Sequence, residues 1–266
     1  MTTRLSVVVP VRDEARRLRT TLDGLIDALA RLRHPAEIVV VDNDSTDDSA
    51  AVALSYRDTA VPVRLLSCVT PGKGAAVRTG VLATSDEYVG FCDADLATDV
   101  SAFPPMLAQL DAGVNAVIGS RAHRDSKIAA HHGITRRTGA SLFRFATRQL
   151  VPGIADTQCG FKFFDRATAE AAFRPLRTQG FAFDVEVLAR VQRAGALLAE
   201  IPVTWTDVPG STFNPVRDGY DSFASLARIR AVLANEAAAR PHRTPSTPGV
   251  LDRTTPELAR GALRSA

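Results

Sequence analysis

Two aspartates separated by one residue, Asp93 and Asp95, follow directly on the apolar run at residues 88–92. A short apolar run is typical of a buried strand, so both carboxylates are expected at one edge of a sheet. Side chains two positions apart on an extended segment share a face, and two charges that close repel and raise each other's pKa. Mg²⁺ or Mn²⁺, which prefer oxygen ligands, would remove that cost and bridge a diphosphate. The spacing therefore predicts a metal site, although a polar turn after a strand would show the same residues.

The elements that must position this pair are strands and helices in alternation, from Leu5 to about Ser120. Apolar runs predict strands at residues 5–9, 37–41, 63–68, 88–92 and 116–119. Between the first two strands, leucines recur on one face of a helix, at Leu18, Leu22, Leu25, Leu29 and Leu32. Such alternation predicts an α/β fold, with a mostly parallel sheet and helices on both faces. Ligands of these sheets bind beyond the carboxyl ends of the strands.

The alternation loosens after about residue 115. Helices are predicted at about 181–193 and 220–235, and a strand near 198–204. From residue 236 onward the chain is rich in Pro, Arg, Thr and Ala without a sustained period, which is typical of a mobile tail. We therefore expect a single domain over residues 1–235 and a mobile segment over 236–266.

Composition excludes several classes of protein. The chain has 266 residues, of which 45% are apolar and 23% charged, and no run approaches the ~20 apolar residues that span a bilayer. The first strand begins at once, which leaves no room for a signal peptide, and three widely spaced cysteines suggest a reduced, cytoplasmic protein. A net charge of +3 and 6% aromatic residues make nucleic acid a weak candidate partner.

Polar residues follow each of the first four predicted strands, at residues 10–14, 42–47, 71–80 and 93–95. Each group has a local structural explanation, such as a helix start at Ser45 or Thr46 or turn glycines at Gly72 and Gly74. The Gly-Lys-Gly segment is not a P-loop, because Lys73 is followed by glycine rather than Ser or Thr. Together, however, the four groups suit a base, a ribose, a diphosphate and a metal.

The ordered motifs resemble those of family 2 glycosyltransferases with the GT-A fold. Four motifs carry this resemblance: Val8-Val9-Pro10 with Asp13-Glu14, Asp42 with Ser45-Thr46-Asp47, Gly72-Lys73-Gly74 with Arg78, and Asp93-Ala94-Asp95. Those of the second half are similar to dolichyl-phosphate β-glucosyltransferases: residues 119–123, 156–162, 181–186 and 208–211. The similarity covers about residues 5–235. It implies a Rossmann-like single domain, with a nucleotide-sugar part over about 1–120 and an acceptor part over about 121–235.

The resemblance also implies roles for individual residues. The nucleobase and ribose would be lined by Pro10, Asp13, Glu14 and Asp42. The phosphates of the sugar nucleotide would lie near Lys73 and Arg78, and Asp93 and Asp95 would hold Mg²⁺ or Mn²⁺ and the diphosphate. The acceptor's phosphate would meet Arg121 and one of Arg136 or Arg137. Family members usually carry Asp-Asp-Gly-Ser where this chain has residues 42–45, Asp-Asn-Asp-Ser, and Asn and Asp tolerate the left-handed backbone that the glycine would adopt.

The expected reaction is an inverting, metal-dependent transfer of a hexose, with UDP-glucose as the best donor by resemblance, to a polyprenyl phosphate. An ionised lipid phosphate needs no strong base, whereas a hydroxyl acceptor would need one. Asp156, Asp184 and Glu186 are the available carboxylates, and Asp156 is equally suited to orienting an arginine. Arg137, Arg144 and Arg148 fall on one stripe of a helix at 134–150, which suits either a membrane surface or a solvated face.

Two other functions stay open at this point. One is a glycosyltransferase that acts on a soluble hydroxyl acceptor. The other is a nucleotide-sugar-binding module without catalysis, although the presence of Asp93, Asp95 and Arg121 argues against it. Sugar nucleotidyltransferases share a related sheet, but their glycine-rich opening is missing after the first strand, where Pro10-Val11-Arg12 stands instead.

Overall fold

A seven-stranded sheet forms the centre of the molecule in a computed structural model, which describes residues 4–129, 143, 145–208 and 217–238. Its strands are β1 (Leu5–Val11), β2 (Ala36–Asp42), β3 (Val63–Ser67), β4 (Tyr88–Cys92), β5 (Ala116–Ser120), β7 (Phe161–Asp165) and β8 (Leu198–Pro202). Two short strands, β6 (Lys127–Ala129) and β9 (Thr204–Thr206), form a separate parallel pair. The order in the large sheet is β3-β2-β1-β4-β7-β5-β8.

Helices cover both faces of the sheet, as the alternation predicts. The described helices are α1 (Ala15–Leu29), α2 (Ser49–Leu54), α3 (Lys73–Leu82), α4 (Phe103–Asp111), α5 (Arg166–Phe173), α6 (Phe183–Arg193) and α7 (Arg217–Ala238). Side chains of α1, α2 and α4 form one apolar core, and those of α3, α5, α6 and α7 form the other. Along β1 the side chains alternate between the two cores, with Val8 in one and Val7 and Val9 in the other.

The five strands predicted from the apolar runs are confirmed, with ends within two residues of the expected positions. β1, β2, β3 and β4 are parallel, so their carboxyl ends meet at one edge of the sheet. The leucine face is also confirmed: Leu18, Leu22, Leu25 and Leu29 are buried, while Leu32 lies beyond the end of α1. The mostly parallel α/β fold is therefore as predicted.

β7 is the strand of the large sheet that sequence patterning missed. It runs antiparallel between β4 and β5 and is buried on both sides. Its second residue is Lys162, which has no exposed surface. A lysine inside an apolar run is typical of a loop, because a lone charge is costly to bury, and only a partner distant in sequence makes this position tolerable.

The helices predicted in the second half are present, and their bounds differ slightly. α6 begins two residues later than expected, and the last helix reaches Ala238, three residues beyond the predicted end. Residues 239–266 lie outside the described part of the chain, so the mobile tail stays a prediction. Cys68, Cys92 and Cys159 are buried and unpaired, in keeping with reduced thiols.

Candidate active site

The paired aspartates lie at the carboxyl end of β4, on a turn that is held from two sides. From α1, the Thr21 hydroxyl donates to the carbonyl of Ala94 at 2.6 Å. From the other side, the backbone N–H of Asp93 donates to the carbonyl of Gly160 at 3.1 Å. A Cβ at Gly160 would overlap the Asp93 carboxylate, so only glycine fits there. The turn therefore presents both carboxylates in a fixed position.

The two carboxylates of the pair repel each other. Burial raises the pKa of Asp95, and the neighbouring charge of Asp93 raises it further. The Lys73 ammonium, at the first residue of α3, lies 2.5 Å from Oδ1 of Asp93. Burial would lower the pKa of Lys73, but Asp93, Asp184 and Asp95 outweigh it, so the pKa is raised and the lysine is charged.

A cleft of about 550 Å³ opens beside the aspartates at the ends of β1, β2 and β4. Of the residues expected to bind the sugar nucleotide, six line it: Pro10, Asp13, Glu14, Lys73, Asp93 and Asp95. The structure thus brings together residues that lie up to 85 positions apart in the chain (95 − 10). This convergence follows from the parallel order of the strands, which places successive strand ends side by side.

The loops after β1 and β2 hold each other in place. Asp13, with a positive φ of 54°, accepts a hydrogen bond from the Thr46 N–H at 2.7 Å, and its own N–H donates to the Ser45 hydroxyl. Asp47 accepts hydrogen bonds from the N–H groups of Ala15 and Ser49, which lie in the first turns of α1 and α2. Asp44 has a φ of 60°, which confirms that the turn keeps its left-handed residue without glycine.

Asn43 ties the loop after β3 to this group, a role that sequence reasoning missed. Its side-chain amide donates to the carbonyls of Cys68 and Thr70, and its side-chain carbonyl accepts the N–H of Gly72 at 2.8 Å. Gly72 has a φ of +121°, and a Cβ there would overlap the backbone of Gln179. Both features require glycine, and they fix the start of α3 and hence the direction of Lys73.

A second, smaller cleft of about 200 Å³ lies on the other side of the aspartates. It shares Lys73, Asp93 and Asp95 with the larger one and adds Arg121. The guanidinium of Arg121 lies 5.6 Å from the ring centre of Trp205, the one tryptophan of the chain. Arg121, the residue predicted to bind the acceptor, therefore lies beside Asp93 and Asp95, directly after the end of β5.

Asp156 holds Arg121 in a two-pronged contact. Nε and Nη2 of Arg121 donate to the two carboxylate oxygens at 2.7 and 2.9 Å, and the Arg121 N–H donates as well. Burial would raise the pKa of Asp156, but Arg121 reverses this and lowers it to about 2. Glu200 on β8 accepts the N–H groups of Ala155 and Asp156 and so anchors their loop. A carboxylate engaged in this way orients an arginine and is a poor general base at neutral pH.

Two of the residues predicted to bind substrate, Arg78 and Asp42, do not line the clefts. Arg78 is directed away, and its guanidinium donates to the carbonyls of Phe173 and Arg174 at the end of α5. Five residues on a helix turn by about 140°, so Arg78 and Lys73 cannot share a face of α3. Asp42 lies beside the larger cleft, and Asn43, one residue later, lines it instead.

The remaining arginine predictions, Arg136 and Arg137, lie outside the described residues, as does most of the basic stripe at 134–150. The other carboxylates considered as bases are buried in ion pairs. Asp184 lies 2.6 Å from the Lys162 ammonium, and Glu186 lies 2.8 Å from Arg190. Sequence reasoning also missed cleft residues from α1, β9, α7 and distant loops: Arg17, Phe181, Gln158, Trp205, Asp207, Asp221, Ser222 and Ser225.

The residues present fit a divalent cation. Among the described residues no group of three or more His, Cys, Asp or Glu side chains forms a cage for a metal. Asp93 and Asp95 instead supply a small set of carboxylate oxygens at the junction of two clefts, with a raised pKa at Asp95 that a cation would relieve. Such a site suits Mg²⁺ or Mn²⁺, which keep coordination positions for phosphate oxygens.

No described helix combines the length and the apolar character that crossing a bilayer requires. The smaller cleft opens between β9 and the Asp93–Asp95 turn, and the described residues of its rim are polar for the most part.

Comparison with known proteins agrees with this geometry. The model of glycosyl transferase family 2 matches residues 6–172. Dolichyl-phosphate β-glucosyltransferases are similar over most of the chain. That of Dictyostelium discoideum is 35% identical, covering 85% of this chain and 73% of the relative. The human enzyme is 36% identical, covering 80% and 71%.

Among solved structures, glucosyl-3-phosphoglycerate synthase from Mycobacterium tuberculosis in complex with UDP has a similar fold. It superposes with a TM-score of 0.65 at 20% identity, covering 86% of this chain and 80% of the other. The complex of that enzyme with Mn²⁺, UDP-glucose and phosphoglyceric acid gives a TM-score of 0.60 at 20% identity, covering 90% and 81%. The chain described here belongs to glycosyl transferase family 2 and is a glycosyltransferase with the GT-A fold.

Proposed function

We propose that the protein transfers glucose from UDP-glucose to a polyprenyl phosphate of the dolichyl type, in a metal-dependent reaction that inverts the anomeric carbon. The observation that carries the proposal is the junction of two clefts at Asp93 and Asp95, with Lys73 on one side and Arg121 on the other. The names of the similar enzymes from Dictyostelium discoideum and human support the sugar and the acceptor.

In the larger cleft, the donor's nucleoside lies against Pro10, Asp13 and Glu14, and its diphosphate reaches Lys73. When bound, a divalent cation held by Asp93 and Asp95 supplies positive charge to the diphosphate as it leaves. The Lys73 ammonium adds to this charge because its amine stays protonated among carboxylates.

In the smaller cleft, Arg121 binds the acceptor's phosphate. A phosphate oxygen attacks C1 of the glucose from the side opposite the diphosphate, so that the new C1–O bond forms while the bond to UDP breaks. The lipid phosphate is already ionised at neutral pH, so no group has to remove a proton. This agrees with the low pKa of Asp156, which holds Arg121 through both oxygens and makes a weak base.

The acceptor lipid belongs to a membrane, so we expect the protein to work at a membrane surface. Residues 134–150, whose arginine stripe suits either a membrane surface or a solvated face, lie for the most part outside the described part of the chain.

The test is a transfer assay with radiolabelled UDP-glucose, MgCl₂ or MnCl₂, and a short polyprenyl phosphate. Label is expected in the lipid extract, with UDP released in equal amount, and nuclear magnetic resonance of the product is expected to show a β linkage. UDP-galactose and GDP-mannose serve as matched donors, and phosphoglyceric acid as a soluble acceptor. Label that appears only in a water-soluble product would contradict the lipid acceptor, and preference for another donor would contradict glucose.

A further inference from the structure

The lysine of the larger cleft contacts one of the two carboxylates that would hold a cation. Nζ of Lys73 lies 2.5 Å from Oδ1 of Asp93, one of the two carboxylates in the candidate metal site. Asn43 accepts the N–H of Gly72, which packs against the backbone of Gln179, so the backbone that carries Lys73 is fixed while its long side chain can still turn. The ammonium is therefore a counter-ion built into the site.

A second ion pair, between Lys162 and Asp184, is buried beside the contact of Lys73 with Asp93. Asp184 on α6 lines the smaller cleft and is buried, and its carboxylate lies 2.6 Å from Nζ of Lys162. Lys162 is fully buried and also donates to the Cys159 carbonyl. Lys162 is the direct partner of Asp184, whereas the direct contact of Lys73 is with Asp93.

A divalent cation alone at Asp93 would stand next to the Lys73 ammonium, which repels it. A cation bound together with a diphosphate would come with oxygens that give the ammonium new partners.

We propose that Lys73 is a resident counter-ion of Asp93 that a divalent cation has to displace, so that metal and nucleotide diphosphate bind tightly only together. The proposal rests on the proposed function, because it takes Asp93 and Asp95 as the metal site. It adds a coupling that the metal site by itself does not require, because the diphosphate would accept the Lys73 ammonium once Asp93 holds the cation. Metal and UDP then increase each other's affinity by the same factor.

The experiment measures Mn²⁺ binding to the full chain from the electron paramagnetic resonance signal of free Mn²⁺, with and without UDP. In the unchanged protein, UDP is expected to tighten Mn²⁺ binding by about ten-fold or more. In Lys73→Met, Mn²⁺ alone is expected to bind at least about five-fold more tightly than in the unchanged protein, and the effect of UDP is expected to shrink. For a counter-ion, its loss tightens the binding of Mn²⁺ alone and shrinks the effect of UDP. For a residue that only supports the fold, its loss would not tighten the binding of Mn²⁺ alone.

Two variants control for charge and shape. The chain has three lysines, and Lys127→Met removes the exposed one on β6, with the same change in net charge and no contact to the aspartates. It is expected to bind Mn²⁺ as the unchanged protein does. Lys73→Arg keeps the cation and is expected to keep weak binding of Mn²⁺ alone. If circular dichroism shows that Lys73→Met is unfolded, Lys73→Gln takes its place in the same titration.

The outcomes distinguish the two proposals. Mn²⁺ binding to Lys73→Met that is no tighter than to the unchanged protein, in the absence of UDP, would overturn the counter-ion. Failure of the unchanged protein to bind Mn²⁺ even with UDP would instead overturn the metal dependence of the proposed function.

Discussion

The two clefts that meet at Asp93 and Asp95 are built by different means. On the donor side, loops are joined by hydrogen bonds between side chains and backbone, as between Asp13 and Thr46 or Asn43 and Gly72. On the acceptor side, the residues stand in ion pairs with buried carboxylates, as Arg121 does with Asp156. Breaking a buried ion pair leaves a charge without its partner, which costs far more than one lost hydrogen bond.

This difference predicts which substitutions change activity without changing stability. Donor-side substitutions are expected to change activity with small effects on folding, because each of the hydrogen bonds that join these loops contributes only about 1 kcal/mol. Acceptor-side substitutions are expected to change both together. The predictions below test this contrast.

The largest effect is expected from Asp95→Ala, on the shared border of the clefts. Loss of a group that positions charge against the leaving diphosphate typically reduces kcat by about 10²–10³. Burial and Asp93 raise the pKa of Asp95, so its ionised carboxylate is a cost to the fold at neutral pH. We therefore expect the free energy of unfolding, measured with urea, to stay the same or to rise.

Asp58→Ala, at an exposed turn, is the matched control and is expected to leave transfer unchanged. Transfer by Asp95→Ala within a factor of about three of the unchanged protein would refute the metal role, since the expected loss is far larger.

Arg121→Ala comes next, and it tests the acceptor side. We expect transfer to the lipid to fall by about 10²-fold, because the acceptor's phosphate loses a charged contact. Hydrolysis of the donor by water, which needs no such contact, is expected to change little. Parallel assays of lipid-linked product and free glucose measure the two rates, and an equal fall in both would count against the acceptor role. Arg121→Lys keeps the charge and should recover part of the transfer.

A smaller, pH-dependent effect is expected for Asp156→Asn. The pKa of Asp156 in the fold is about 2, below its ordinary value near 4, so its ionised form stabilises the folded state. That contribution, about 2 kcal/mol, is complete above pH 4 and is lost as the pH falls through about 2. The difference in unfolding free energy between the unchanged protein and Asp156→Asn should therefore be present at pH 7 and shrink between pH 4 and pH 2. Urea denaturation at a series of pH values measures it, and a difference that does not vary with pH would contradict the assignment.

The same contrast explains which strands and which site residues could be predicted from the sequence. Residues at the ends of β1, β2 and β4 were predicted together because each follows directly on its own apolar run, and the topology does the rest. β7 was missed because Lys162 interrupts its apolar run, and Lys162 is acceptable there only because Asp184, 22 positions later, pairs with it (184 − 162). Asp156 was left undecided between a base and an anchor, because its role depends on Arg121, and side-chain direction between distant loops leaves no local pattern.

Arg78→Ala has the smallest expected effect, and it separates the expectation from sequence from the observed contact. The motif resemblance implies that Arg78 lies near the phosphates, whereas its guanidinium donates to the carbonyls of Phe173 and Arg174, which end α5. Loss of these hydrogen bonds should lower the free energy of unfolding by about 1 kcal/mol, because the bonds are partly exposed. The KM for the donor should not change, since the side chain does not line either cleft. Urea denaturation and donor kinetics on one preparation decide between a role in donor binding and a role in stability. A raised KM with unchanged stability would show that Arg78 binds the donor.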